Sequence, residues 1–179
     1  YTQADVDAMA MLLSGWKVNI DTAPRGAWFD PASAEPGRQR LLGQFYPGTA
    51  SGSIAALRAL AINPATYTHL ATKLVRHFTT DTPAPSDVAA VAAALLRSRG
   101  NLGSAAATVL TLPSAWTPLT KLRAPADLAI AAMRASAAAA TDIPPMFEGL
   151  LGIGDLPFMS PFPDGWADLA ADWSAPQQI

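Results

Sequence analysis

The stretch "NPATYTHLATKLVRHF", residues 63–78, contains the clearest fold signal in the chain. Asn63 followed by Pro64 is a helix-start signature, because an N-cap side chain stands directly before a proline in the first helical position. From Pro64 to about Thr79 apolar residues recur at helical spacing. They predict an amphipathic helix whose apolar face consists of Tyr67, Leu70, Ala71, Leu74, Val75 and Phe78.

Polar side chains occupy the opposite side of this predicted helix. They are Thr66, His69, Lys73, Arg76 and His77, and Asp81 follows shortly after the helix. His69 and His77 are eight positions apart, which is about 12 Å along a helix axis. Because this separation is too long for two ligands of one ion, the two histidines are poorly placed to bind one metal together. We predict neither a metal nor a cofactor.

Three interpretations of this polar face remain open. It is a solvated helix surface, which is the usual case, or an anion-binding stripe. In the stripe, Lys73 and Arg76 hold a carboxylate or phosphate while a histidine transfers protons. The third is a metal site that uses one histidine with carboxylates such as Asp81, although no histidine-rich spacing supports it. The candidate polar site therefore consists of His69, Lys73, Arg76, His77 and Asp81.

Helical patterns also occur on both sides of this segment. Thr2 and Asp5 suggest a capped helix up to Ser14, and Ser86 and Asn101 each suggest a further helix start. The remaining predicted helical segments are 51–62, 125–139, about 145–151 and 164–173. We expect an all-α protein, an irregular bundle of six to eight helices in a single domain over residues 1–179.

Two regions lack a sustained helical period. Residues 16–50 are rich in glycine and proline and predict an irregular insertion, with room for one small β-hairpin between 16–20 and 27–30. Residues 142–166 are rich in proline, glycine and aromatic residues and predict a loop region. Phe158, Phe162 and Trp166 in this region form a candidate aromatic recognition surface.

Composition excludes several classes of function. Twelve basic against fourteen acidic residues give a net charge of -2, so no nucleic-acid partner is predicted. The absence of cysteine excludes disulfides, thiolate metal sites and thiol nucleophiles. The long uncharged run from Gly100 to Thr120 is interrupted by Gly103, Pro113 and Pro118, which argues against a transmembrane segment.

Five blocks, in order, carry a family resemblance: "DVDAMAMLLSGW", "EPGRQRLLGQ", "NPATYTHLATKLVRHFTTDTPAP", "KLRAPADLAIAAMRA" and "PFPDGW". The chain resembles the C-terminal portion of the bacterial domain-of-unknown-function family 1800 (DUF1800). The resemblance implies a fragment of a longer protein, in which the remainder of the chain is itself a partner. It also implies an exported or periplasmic location, and it carries over no activity. Where Ala34 stands, members often have a histidine.

Two main functional hypotheses follow, with a third that is weaker. The first is a noncatalytic interaction or scaffold module whose partner is another exported protein or a cell-envelope component. The alternative is an enzyme of unknown class that uses the candidate polar site. The weaker alternative is carbohydrate binding through the aromatic surface. The substrate, the oligomeric state and the meaning of Ala34 stay open.

Overall fold

Residues 1–21, 23, 25–118, 121–160 and 165–174 are described by the structure, which is a computed structural model. Helices predominate in these residues, which confirms the prediction of a mainly helical protein. The α-helices are α1 (Gln3–Leu13), α2 (Ala50–Ala61), α3 (Pro64–Phe78), α4 (Pro85–Arg97), α5 (Leu102–Thr111), α6 (Pro125–Ala135), α7 (Ile143–Ile153) and α8 (Ala170–Trp173). The chain divides into two compact units, residues 1–67 and 68–179. The prediction of a single domain stays a prediction.

Two antiparallel β-hairpins lie in the first unit. Strand β1 (Trp16–Asn19) pairs with β2 (Gly26–Phe29), and this pair lies where the sequence has room for one hairpin. The second hairpin, β3 (Arg38–Leu41) with β4 (Gln44–Pro47), was not predicted. Its tight turn places Leu42 at φ 47° and Gly43 at φ 81°. Leucine is an unusual residue for a left-handed turn position, so the usual Asn-Gly or Asp-Gly signature is missing from the sequence.

The core of the first unit forms between α1, the second hairpin and α2. Leu12, Leu41 and Ala56 are buried together, and Met9, Tyr46 and Leu60 pack against them. Two polar contacts fix the hairpins to the helices. The Trp16 indole N–H donates to Ser53 Oγ (2.7 Å), and the Leu42 N–H donates to the Asp5 carboxylate (2.7 Å).

Local capping explains where several helices begin. The Thr2 N–H donates to the Asp5 carboxylate (2.7 Å), as in a capping box. Asn63 accepts from the Ala65 N–H (2.9 Å) before α3, and Asn101 accepts from the Ser104 N–H (2.9 Å) before α5. These three predicted starts are correct. The expected cap at Ser86 is wrong, because Pro85 already occupies the first helical position of α4.

The second unit consists of the C-terminal part of α3 and the helices that follow. Its buried apolar residues are Ala71, Val75, Val91, Ala94, Leu95, Ala105, Val109, Leu112 and Leu150. The Ser114 hydroxyl donates to Asp87 (2.6 Å) and so joins the 3₁₀ turn Pro113–Trp116 to α4. Asp155, which is buried, accepts from the Ala126 N–H (2.8 Å) in the first turn of α6. Burial raises the pKa of Asp155, although that hydrogen bond opposes the shift.

The buried face of α3 differs in one respect from the predicted one. Tyr67, Ala71 and Val75 are buried, and Leu70 and Leu74 are half-buried. Phe78, however, is 55% exposed. It follows Leu70 and Leu74 at a spacing of four residues, in a row that is only half-buried, whereas the buried row continues from Val75 to Thr79.

Candidate functional site

The candidate polar side chains fall into two groups by exposure. His69 and His77 are exposed, whereas Lys73 and Arg76, which lie between them on α3, are half-buried. A half-buried cation needs an acceptor within reach, because removing a charge from water without a partner is unfavourable. The partner of both cations comes from the C-terminal part of the same unit.

Asp168 forms ion pairs with both half-buried cations of α3. Lys73 Nζ lies 2.6 Å from Asp168 Oδ2, and Arg76 Nη1 lies 3.7 Å from the same oxygen. The Asp168 side chain is 22% exposed, so this pair is partly shielded from water. The carboxylate expected for an anion-binding stripe is thus supplied by the chain itself.

A second ion pair lies beside the first and involves Asp81. Lys121 Nζ donates to Asp81 Oδ1 (2.5 Å) and also to the backbone carbonyl of Asp168. Asp81 Oδ2 accepts from the Ala170 N–H (2.6 Å), in the first turn of α8. Lys121 therefore links the two carboxylate-bearing segments, and we call Lys73, Arg76, Asp81, Lys121 and Asp168 the ion-pair network.

The electrostatics of Asp81 fit a structural ion pair. The hydrogen bond from Lys121 and then that from the Ala170 N–H lower the pKa of this carboxyl below its ordinary value of 3.8, and the Arg76 charge adds to the effect. Both contacts stabilise the ionised form. A carboxyl group that is ionised at neutral pH and already accepts two hydrogen bonds is poorly suited to act as a proton-transfer group there.

The structure thus brings together three of the five candidate residues. Lys73, Arg76 and Asp81 belong to the network, whereas His69 makes none of its contacts. His77 packs edge-on against Phe78, with ring centroids 4.6 Å apart. Sequence reasoning missed Lys121 and Asp168. These residues are 40 and 95 positions away from their partners, and no local pattern marks such pairs.

A groove of about 480 Å³ lies next to His77 in the second unit. Its walls are the end of α3, residues 121–124, one face of α6 and the segment 167–173. We call it the α6 groove. An apolar groove of about 440 Å³ lies between α6 and α7 and shares Leu122, Arg123 and Trp173 with it.

Two buried donors near the network have no hydrogen-bond partner among the described residues: Arg76 Nε and Trp166 Nε1. The Trp166 ring packs edge-on against Trp173, with centroids 6.4 Å apart. Phe158, by contrast, is fully exposed. Phe162 lies outside the described residues, so the candidate aromatic surface stays a prediction.

Within the described ranges, no group of three or more histidine, aspartate or glutamate side chains is arranged to hold a metal ion. The described helices also include none that is long and apolar enough to cross a bilayer.

Comparison with protein families identifies the class to which this fold and site belong. The family model described as "Protein of unknown function (DUF1800)" matches residues 1–179. The chain therefore belongs to the DUF1800 family, as the five sequence blocks indicated. Comparison with curated proteins and with solved structures gave no match.

Replacing Asp81 with asparagine tests whether the network stabilises the fold. Asp81→Asn removes the charge that Lys121 contacts, and we expect it to lower the free energy of unfolding by about 1 kcal/mol at pH 7, since the pair is partly exposed. Denaturant unfolding followed by circular dichroism measures this. The control is Asp21→Asn, because the Asp21 side chain is exposed and forms no ion pair with a described residue. We expect no change in stability for this variant.

The effect of Asp81→Asn on stability should depend on pH. Because the folded-state pKa of Asp81 is lowered, its contribution to the free energy of unfolding is present above the ordinary carboxyl pKa of 3.8 and is lost as the pH falls below that value. The difference in free energy of unfolding between wild type and Asp81→Asn should therefore stay constant from pH 7 to about 5 and shrink in more acidic solution. A difference that grows on acidification would contradict the role given to Asp81.

Proposed function

We propose that this chain is a noncatalytic interaction module of an exported bacterial protein, with another exported protein or a cell-envelope component as its partner. The observation that carries the proposal is the ion-pair network. Lys73, Arg76 and Asp81, three of the five residues of the candidate polar site, contact charged groups of the same chain. Their charges join separate segments of the second unit, which is a structural role.

The first hairpin supplies a surface suited to a partner. Val18 is 67% exposed and the nearby Ile20 is 71% exposed. Val18 pairs with Ala27, whereas Trp28 pairs with Lys17 and so lies on the other face of the hairpin. Val18 lies in β1 and Ile20 directly follows the strand, two positions after Val18. Exposed apolar side chains grouped on a hairpin are typical of a docking surface.

Retention experiments test this proposal. The immobilised chain should retain a protein or an envelope polymer from the exported fraction of a bacterial culture. The double variant Val18→Ser/Ile20→Ser should lose this retention, whereas Leu96→Ser should keep it. Leu96 is a suitable control because it is similarly exposed (58%) but lies on α4 in the other unit. Equal retention by both variants, or no retention by the wild type, would refute the proposal.

The enzyme alternative has one observation in its favour, which is the position of His77 on the wall of the α6 groove. This alternative requires a reaction that is abolished by His77→Gln. The reaction should be unaffected by His69→Gln, a matched change on the same helix outside the groove.

The weaker carbohydrate alternative rests on the full exposure of Phe158. It requires binding on a glycan array that Trp166→Ala removes.

A further inference from the structure

The α6 groove combines unpaired cations with apolar walls. Four residues of α6 face it at helical spacing: Asp127, Ile130, Ala131 and Arg134. Arg123 lines the groove from the stretch before the helix. Both arginines are exposed, and neither takes part in an ion pair or side-chain hydrogen bond with a described residue.

The other charges in the groove are mostly committed elsewhere. Lys121 is held by Asp81 and by the backbone carbonyl of Asp168. The Asp168 carboxylate is held by Lys73 and Arg76. The groups left to meet a ligand are two guanidinium groups, the His77 imidazole and the single carboxylate of Asp127, so positive charge exceeds negative charge among them. A guanidinium group is well suited to hold a carboxylate through two parallel hydrogen bonds.

Large apolar side chains line the same groove. Phe78 is 55% exposed and Ile130 is 45% exposed, so the described residues leave part of both apolar side chains uncovered. Trp173 is half-buried, and its indole N–H donates to the Ala167 carbonyl (3.0 Å), which fixes the ring in the wall. The exposure of Phe78, which the helical pattern did not predict, is accounted for if this ring contacts a ligand.

We infer that the α6 groove binds a small organic carboxylate with a flat apolar body, attracted by the positive charge that Arg123 and Arg134 give the groove and packed against Phe78, Ile130 and Trp173 along its body. The volume of about 480 Å³ falls within the range of sites for small molecules. This binding site is independent of the hairpin surface proposed above for a protein or envelope partner.

Two probes of the same shape test the inference. The first is 2-naphthoate, an anion with a flat apolar body, and the second is 2-naphthalenemethanol, its neutral counterpart. The indole N–H signal of Trp173 in NMR spectra, assigned with Trp173→Phe, reports on the groove. We expect saturable binding of naphthoate with a Kd of about 1 mM or below, and binding of the alcohol that is at least about fivefold weaker.

Variants of the arginines separate the charged site from general hydrophobic binding. Arg134→Gln should weaken naphthoate binding about fivefold, and Arg123→Gln/Arg134→Gln should weaken it further, because each removes a charged donor. Arg58→Gln is the matched control, since Arg58 is an exposed arginine in the last turn of α2, as Arg134 is in the last turn of α6. This control should bind like the wild type.

Three results would each overturn the inference. The first would be equally tight binding of the alcohol and naphthoate, which would assign binding to apolar surface such as the groove between α6 and α7. The second would be equally tight binding of naphthoate by Arg134→Gln and Arg58→Gln. The third would be the absence of a saturable shift of the Trp173 signal with naphthoate up to about 10 mM, which lies well above the expected Kd.

Discussion

Leu95→Ala is expected to lower the free energy of unfolding by about 3 kcal/mol. Leu95 is fully buried on α4, in the unit that carries both the ion-pair network and the α6 groove. Truncating it removes apolar contacts and leaves a cavity that the surrounding side chains fill only in part. Denaturant unfolding followed by circular dichroism provides the measurement.

The neighbouring residue supplies a matched control for this prediction. Leu96 has the same side chain on the same helix but is 58% exposed, so Leu96→Ala should change stability by no more than about 0.5 kcal/mol. Similar losses for the two variants would mean that the buried face of α4 has been assigned wrongly.

Gly52→Ala is expected to destabilise the first unit by about 2 kcal/mol. Gly52 is buried in the first turn of α2, and a Cβ atom there would lie 1.9 Å from the Pro47 carbonyl oxygen at the end of β4. Because that neighbour is backbone, a rotamer change cannot relieve the overlap, and the second hairpin would have to move away from α2.

A glycine in an open helical position is the control for Gly52→Ala. Gly149 lies on α7, and a Cβ added there meets nothing within 4 Å. Since alanine is favoured over glycine in a helix, Gly149→Ala should be neutral or stabilise by up to about 1 kcal/mol. If Gly52→Ala were as well tolerated as Gly149→Ala, the close approach of β4 to α2 would be refuted.

The parts of the fold that could be predicted are those with local causes. Asn63 with Pro64, Thr2 with Asp5, and Asn101 each mark a helix start within a few residues, because a capping side chain bonds to backbone close by. The helical spacing of Tyr67, Ala71 and Val75 likewise identified most of the buried face of α3. Periodicity gives the direction of a side chain, however, and not its depth, which is why Phe78 was placed wrongly.

The parts that could not be predicted depend on contacts between distant residues. The sequence identified Lys73, Arg76 and Asp81 as polar groups on and after one helix, but it did not reveal which groups would neutralise them. Asp168 and Lys121 occupy unremarkable positions, and they meet their partners through tertiary packing. The second hairpin was missed for a related reason, because Leu42 takes a turn conformation that its side chain does not favour.

A double-mutant cycle between Lys73 and Asp168 tests most directly whether the basic face of α3 is neutralised by the chain itself. Lys73→Met, Asp168→Asn and the combined variant are compared with the wild type by denaturant unfolding at low salt. We predict a coupling energy of about 1 kcal/mol, which falls as salt is added. Strictly additive effects, with a coupling energy below about 0.3 kcal/mol, would contradict the ion-pair network. Lys73 and Arg76 would then again be candidates for binding a ligand.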